Sequence, residues 1–163
     1  MKNGLLIIGA GQYGIVAKEI AEEMGVFEKI DFLDDKNESA VGKINDYDKF
    51  ANLYSHAFVA IGSNKMRLEF IEKLQSFYKI AILKSKFAYI SPLSTIEEGT
   101  IIEQMAIVQA NAKIEKGCLI CSGTIVKHNA HVGQGCYLDC NCVVQAGAVV
   151  KTETKVEAGT VFI

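Results

Sequence analysis

EQMAIV QANAKI EKGCLI CSGTIV KHNAHV (residues 103–132) divides into five lines of six that agree position by position. The sixth place holds Val108, Ile114, Ile120, Val126 and Val132, all large and aliphatic. The fourth holds Ala106, Ala112, Cys118, Thr124 and Ala130, all small. The third is Asn111, Gly117, Gly123 or Asn129 in every line but the first, which has Met105. The same registers run outward to Ile90 and Phe162, with Gly99, Gly135, Asn141, Gly147 and Gly159 continuing the third place. A helix repeats near 3.6 residues and a half-buried strand near two, so a period of six requires a short strand followed by a tight turn. Gly and Asn tolerate the positive φ that such turns demand. Three units close a triangular coil of 18 residues, giving about four stacked coils from this stretch. Each coil pairs with its neighbours as parallel strands and buries its apolar edge only against them.

The register also sorts the five cysteines. Cys118, Cys136 and Cys142 fall on the small-residue place and read as packing; Cys121 and Cys140 fall off it and carry no assigned role. An odd count without a CxxC pair implies a reducing cytoplasm and no disulfide framework. The three histidines, His56, His128 and His131, lack the HxxxxH spacing of the β-helical carbonic anhydrases, so no metal site is assigned. A net charge of −2 without a basic cluster excludes a nucleic-acid partner, and no apolar run is long enough for membrane insertion. Lys2 and Leu5–Ile8 faintly resemble a signal peptide, but Gly9, Gly11 and the charges Lys18-Glu19 make a first β-strand the better reading.

Residues 1–84 follow a different grammar. A buried strand over residues 5–8 runs into Gly9-Ala10-Gly11-Gln12-Tyr13-Gly14 and then a helical pattern from Ile15 to Met24. A second strand over Lys29–Leu33 ends in Asp34-Asp35. Residues 46–54 read as helix, 57–61 as strand, 65–77 as helix and 78–83 as a last strand. Strands alternating with helices predict a small parallel sheet with Rossmann-like wrapping. A strand–GxGxxG–helix context suits a pyrophosphate at the helix N-terminus, with Asp34 and Asp35 as acceptors for a ribose or base. The alternative is a tight βα turn without a ligand; NAD is disfavoured because the sheet is only half-sized.

Together the two halves resemble the NeuD/PglD-type sugar acyltransferases, a hexapeptide-repeat transferase family. The resemblance is carried by Leu5 to Gly14 (the family's glycine turn), by Phe32-Leu33-Asp34-Asp35, by Ala60-Ile61-Gly62-Ser63-Asn64 with Arg67, by Ile90-Ser91-Pro92, and by Val126-Lys127-His128-Asn129. It implies an α/β N-terminal Rossmann-like domain (residues 1–84) followed by a left-handed parallel β-helix (residues 85–163). The left-handed sense comes from the resemblance alone. It implies acetyl transfer from acetyl-CoA, a co-substrate rather than a permanently bound cofactor, to a sugar or UDP-sugar, by a cytoplasmic homotrimer. His128 becomes the general base with Asn129 beside it. Gly9, Gly11, Gln12, Tyr13, Gly14, Asp34, Asp35, Gly62, Asn64 and Arg67 become nucleotide-sugar contacts, and Tyr137, Ala146 and Gly147 acetyl-CoA contacts. The Ala146 N–H, one coil above His128, is the candidate oxyanion donor.

Four departures from the family pattern stand out. Asn129 replaces an acid, Tyr137 replaces a histidine, and Gln12-Tyr13 replaces Gly-His. Ile163 falls one residue short of the position above Ala146, so the outer CoA site is expected to be missing or supplied by a neighbouring subunit. These departures keep a second reading open: a non-catalytic protein that binds a nucleotide sugar or another partner.

Overall fold

The structure, a computed structural model, describes residues 3–163. Its first unit is a parallel sheet in the order β2-β1-β3-β4, formed by β1 (Gly4–Ile8), β2 (Lys29–Leu33), β3 (His56–Val59) and β4 (Lys79–Ile80). Helix α1 (Gln12–Met24) follows β1 and α2 (Asn64–Leu74) follows β3. β1 is buried on both sides, as its unbroken Gly-Leu-Leu-Ile-Ile run requires of a central parallel strand. Two local expectations fail. The helix read over residues 46–54 is a short 3₁₀ segment, Ile44–Phe50, where Asp46 bonds locally to the Lys43 N–H and the Lys49 ammonium. The strand read over residues 78–83 divides: Lys79–Ile80 closes the α/β sheet, whereas Leu83–Lys84 pairs with Ile101–Ile102 and opens the β-helix.

From there the chain winds through three parallel sheets of two-residue strands. The first face stacks Leu83–Lys84, Ile101–Ile102, Leu119–Ile120, Tyr137–Leu138 and Lys155–Val156. The second runs from Tyr89–Ile90 through Ile125–Val126 to Val161–Phe162, and the third from Thr95–Ile96 through His131–Val132 to Val149–Val150. Register advances by 18 residues per coil, as in Lys113↔His131. The aliphatic sixth place and the small fourth place, including Cys118, Cys136 and Cys142, form one buried column. All nine Gly and Asn residues of the third place adopt positive φ, and so do Met105 (φ 62°) and Glu153 (φ 58°).

The α/β unit covers the first face. Leu83, Ile101 and Leu119 point outward from that face into a core shared with Ala17, Ile20 and Ala21 of α1. Face one is therefore apolar on both sides, and the two units are joined by a continuous core.

Candidate functional site

Three vertices separate the faces. At the second vertex, between faces two and three, His128 and Asn129 occupy the middle of a turn and are exposed. The Gly147 N–H donates to the His128 carbonyl at 3.1 Å, which sets Ala146 directly above His128, about 4.8 Å away along the stack. Gln109, one coil below, accepts the His128 backbone N–H at 3.0 Å. The Ala146 N–H has no such partner among the described residues, and Gln145 is instead held by the Lys127 ammonium at 2.9 Å. The Asn129 amide lies 3.2 Å from His128 Nδ1. As placed, Asn129 Nδ2 donates to Nδ1, which leaves the neutral ring's proton on Nε2; an amide flip, which exchanges oxygen and nitrogen, lets the oxygen accept Nδ1–H and frees Nε2 as a base. Asn129 also fills an αL turn position at φ 59°, which an acid or a glycine accommodates and most other residues do not.

The glycine turn lies beside the first face, on the other side of the coil. Gly9 has φ 101°, and a Cβ on Gly14 would stand 2.2 Å from the Gly9 carbonyl, so this close helix–strand crossing requires glycine. Gly11 has open space around it and serves α1 as an N-cap without a side-chain bond. The uncapped N-terminus of α1 suits an anion. Asp34 Oδ2 accepts the Ala10 N–H at 2.8 Å, and Oδ1 accepts Lys36 and Asn37 N–H. These backbone bonds, the one from Ala10 foremost, hold the Asp34 carboxyl below its ordinary pKa. A groove of about 250 Å³ lined by Asp34, Asn37, Val41 and Lys43 opens beside it. Asp35 accepts the Ile44 N–H at 3.1 Å and faces solvent.

Tyr13 is turned inward, toward the β-helix. Its hydroxyl donates to the buried Glu103 at 3.2 Å, and burial, with Cys121 and Glu103 adding to it, pushes its pKa well up. Gln12 is exposed at the first position of α1.

Arg67, assigned above to substrate, is 0% exposed and all five of its N–H donors are engaged within the chain. Nε donates to the Gly117 carbonyl (2.7 Å), Nη1 to the Ile61 and Gly62 carbonyls (3.0 and 3.3 Å), and Nη2 to Asn64 Oδ1 and the Gly135 carbonyl (both 2.9 Å). Asn64 Nδ2 in turn donates to the Glu153 carbonyl at 2.9 Å. Gly117, Gly135 and Glu153 share one position in successive coils of the third vertex, so Asn64 and Arg67 clasp three coils and Arg67 keeps no N–H for a ligand. Gly62 belongs to the same clasp. Leu68 packs so close that a Cβ on Gly135 would meet it at 2.8 Å, and Gly117 is similarly confined by Leu68 and Ile71. The third vertex thus has Gly for two reasons, where the exposed second vertex has Asn111 and Asn129.

Tyr137, assigned to acetyl-CoA, lies on the first face against the α/β core with its hydroxyl toward the Cys121 thiol, a full face away from His128 of the same chain. The sequence gives no sign of one further contact: His131 Nε2 lies 2.9 Å from Glu115, and this bond is the leading cause of the lowered Glu115 pKa.

Residues 4–74 match the family model described as the PglD N-terminal domain. The match spans the α/β unit from β1 to the end of α2. Two solved structures resemble the whole chain. The acetyltransferase domain of PglB from Neisseria gonorrhoeae FA1090 is 22% identical with a TM-score of 0.79, covering 99% of this chain and 92% of that one. PerB from Caulobacter crescentus, solved with CoA and GDP-perosamine, is 22% identical with a TM-score of 0.83, covering 99% and 89%. WeeI from Acinetobacter baumannii AYE is more distant, 16% identical with a TM-score of 0.59 over 97% of this chain and 93% of that one. The shared fold is an α/β domain followed by a left-handed parallel β-helix. In this chain the α/β unit and the His128 vertex stand on opposite sides of the coil, so a single copy does not bring the glycine turn and His128 together.

Proposed function

We propose that this protein is an acetyl-CoA-dependent acetyltransferase acting on a nucleotide-linked amino sugar. The observation that carries the proposal is the stacking of an exposed imidazole, His128, under the unpartnered N–H of Ala146 at one solvent-facing vertex. The likeness in fold to PerB and the PglB domain supports the same reading. His128 takes the proton from the acceptor amine as its nitrogen attacks the thioester carbonyl. The Ala146 N–H holds the oxyanion of the tetrahedral intermediate. Collapse breaks the C–S bond, and the imidazolium returns its proton to the departing thiolate of CoA. The nucleotide diphosphate sits on the N-terminus of α1, beside the Asp34 groove. A hydroxyl acceptor would follow the same steps.

The working unit is a homotrimer, because the second face is unpartnered. Tyr89, Ile107, Ile125, Val143 and Val161 project from it as a ladder of apolar side chains, one per coil. Tyr89 and Val161 are 60% and 55% exposed. In this reading, packing of the face against another copy brings a neighbouring α/β domain to the His128 vertex. Asn129, in place of an acid, favours the second reading of a binding protein without turnover.

Titration calorimetry with acetyl-CoA, followed by assay of free CoA thiol with GDP- and UDP-linked amino sugars, tests the proposal. Saturable donor binding with turnover that His128→Ala reduces ~10²–10⁴-fold is expected. Donor binding undetectable at millimolar acetyl-CoA by folded protein would refute it. Nucleotide-sugar binding without turnover would favour the second reading.

A further inference from the structure

At the first vertex Glu103, Cys121 and Asp139 occupy one position in successive coils, and Cys140 follows Asp139. The matching places on the other vertices, such as Gln109, Lys127 and Glu97, reach solvent. Here the α/β domain closes over the column through Tyr13, leaving Glu103 7% and Cys121 3% exposed. The Sγ atoms of Cys121 and Cys140 and a carboxylate oxygen of Asp139 all lie within 4.8 Å of one another. Unlike the three inward-facing cysteines, this pair fills no place in the apolar column. Asp139 Oδ1 accepts the Cys140 N–H at 2.8 Å, which orients the carboxylate, and Lys155 stands 3.9 Å from Oδ2. Glu103 borders the Cys121 thiol from the coil below, its two oxygens bonded to Tyr13 and Ser122.

We propose that Cys121, Cys140 and Asp139 form a binding site for a thiophilic divalent cation of the Zn²⁺ type. Two thiolates and one carboxylate supply three of four tetrahedral positions, with Glu103 or a water as the fourth. Soft sulfur ligands select zinc over magnesium or calcium. A backbone N–H holding the ligating carboxylate is the outer-shell support such sites use. Each thiol gives up its proton to solvent as its metal–sulfur bond forms, and no electron is transferred. Occupation would tie two coils together one side chain away from the glycine turn, through Cys121, Glu103 and Tyr13. The site lies on a different vertex from His128 and is independent of the acetyl-transfer reading.

The test is Co²⁺ titration of the full, untagged, reduced chain in chelator-treated buffer, read by thiolate-to-cobalt charge transfer, followed by displacement with Zn²⁺. We expect saturation at micromolar metal with one ion per chain. Cys140→Ser and Asp139→Asn, both at half-exposed positions that keep the fold, should each weaken binding at least ~10-fold. Cys142→Ala in the buried column should leave binding unchanged. Absence of a charge-transfer band at millimolar Co²⁺, or a band and affinity unchanged in both Cys140→Ser and Asp139→Asn, would overturn the proposal.

Discussion

Replacing Arg67 by Lys distinguishes a clasp from a ligand contact. The guanidinium spans the Gly117 and Gly135 carbonyls of adjacent coils and the Ile61 carbonyl of the α/β domain in one plane. An ammonium offers three donors from a single point and cannot reach acceptors on coils about 4.8 Å apart together with the Ile61–Asn64 side. At least two of the five bonds are lost in a site with no solvent exposure. Bonds to a charged donor contribute about 1.5–3 kcal/mol each, so losing two costs about 3–6 kcal/mol. For a chain of this length that lowers Tm by on the order of 10 °C. The assay is thermal unfolding by circular dichroism at matched protein concentration, since assembly itself shifts Tm. Nucleotide-sugar affinity, measured well below Tm, should stay within about twofold of the parent because no Arg67 N–H is available to a ligand. An unchanged Tm with lost nucleotide affinity would refute the clasp and restore Arg67 as a substrate residue.

Ala146→Pro removes one N–H at a turn position where Pro92 already sits two coils before His128, so the fold should persist while kcat falls ~10²–10³-fold in the thiol-release assay. Ile125→Glu, placing a charge in the middle of the second face, should convert the proposed homotrimer to monomers in sedimentation velocity and abolish turnover together with it. Asp34 has a depressed folded pKa, so its contribution is present above the unfolded carboxyl value of about 3.9 and is lost as pH falls below it through the folded value. Asp34→Asn should therefore flatten the acid limb of a Tm-versus-pH curve below about pH 4, and an unchanged limb would show that other groups carry it.

The β-helix was legible because its constraint repeats: a narrow interior admits one aliphatic and one small residue per turn, and every unit reports it. Boundaries were less legible where one short run serves two sheets, as residues 78–83 do. The clasp was misread for a physical reason. A polar motif after a strand, Gly62 to Arg67, signals buried polar chemistry equally well whether its partner is a ligand or a carbonyl of the chain itself. The partners here lie 50 and 68 residues away, and no local spacing encodes them. One signal was available in retrospect. The third vertex keeps Gly at Gly99, Gly117 and Gly135, where Asn satisfies the same positive φ on the second vertex at Asn111 and Asn129. Gly kept through three successive coils, as at no other vertex, marks an edge with something packed against it, and α2 with its arginine is what packs there. The same reasoning applied to the first vertex finds Glu103 and Cys121 buried where the repeat elsewhere puts exposed polar residues. That edge is covered as well, and the side chains under the cover are sulfur and carboxylate rather than backbone carbonyls.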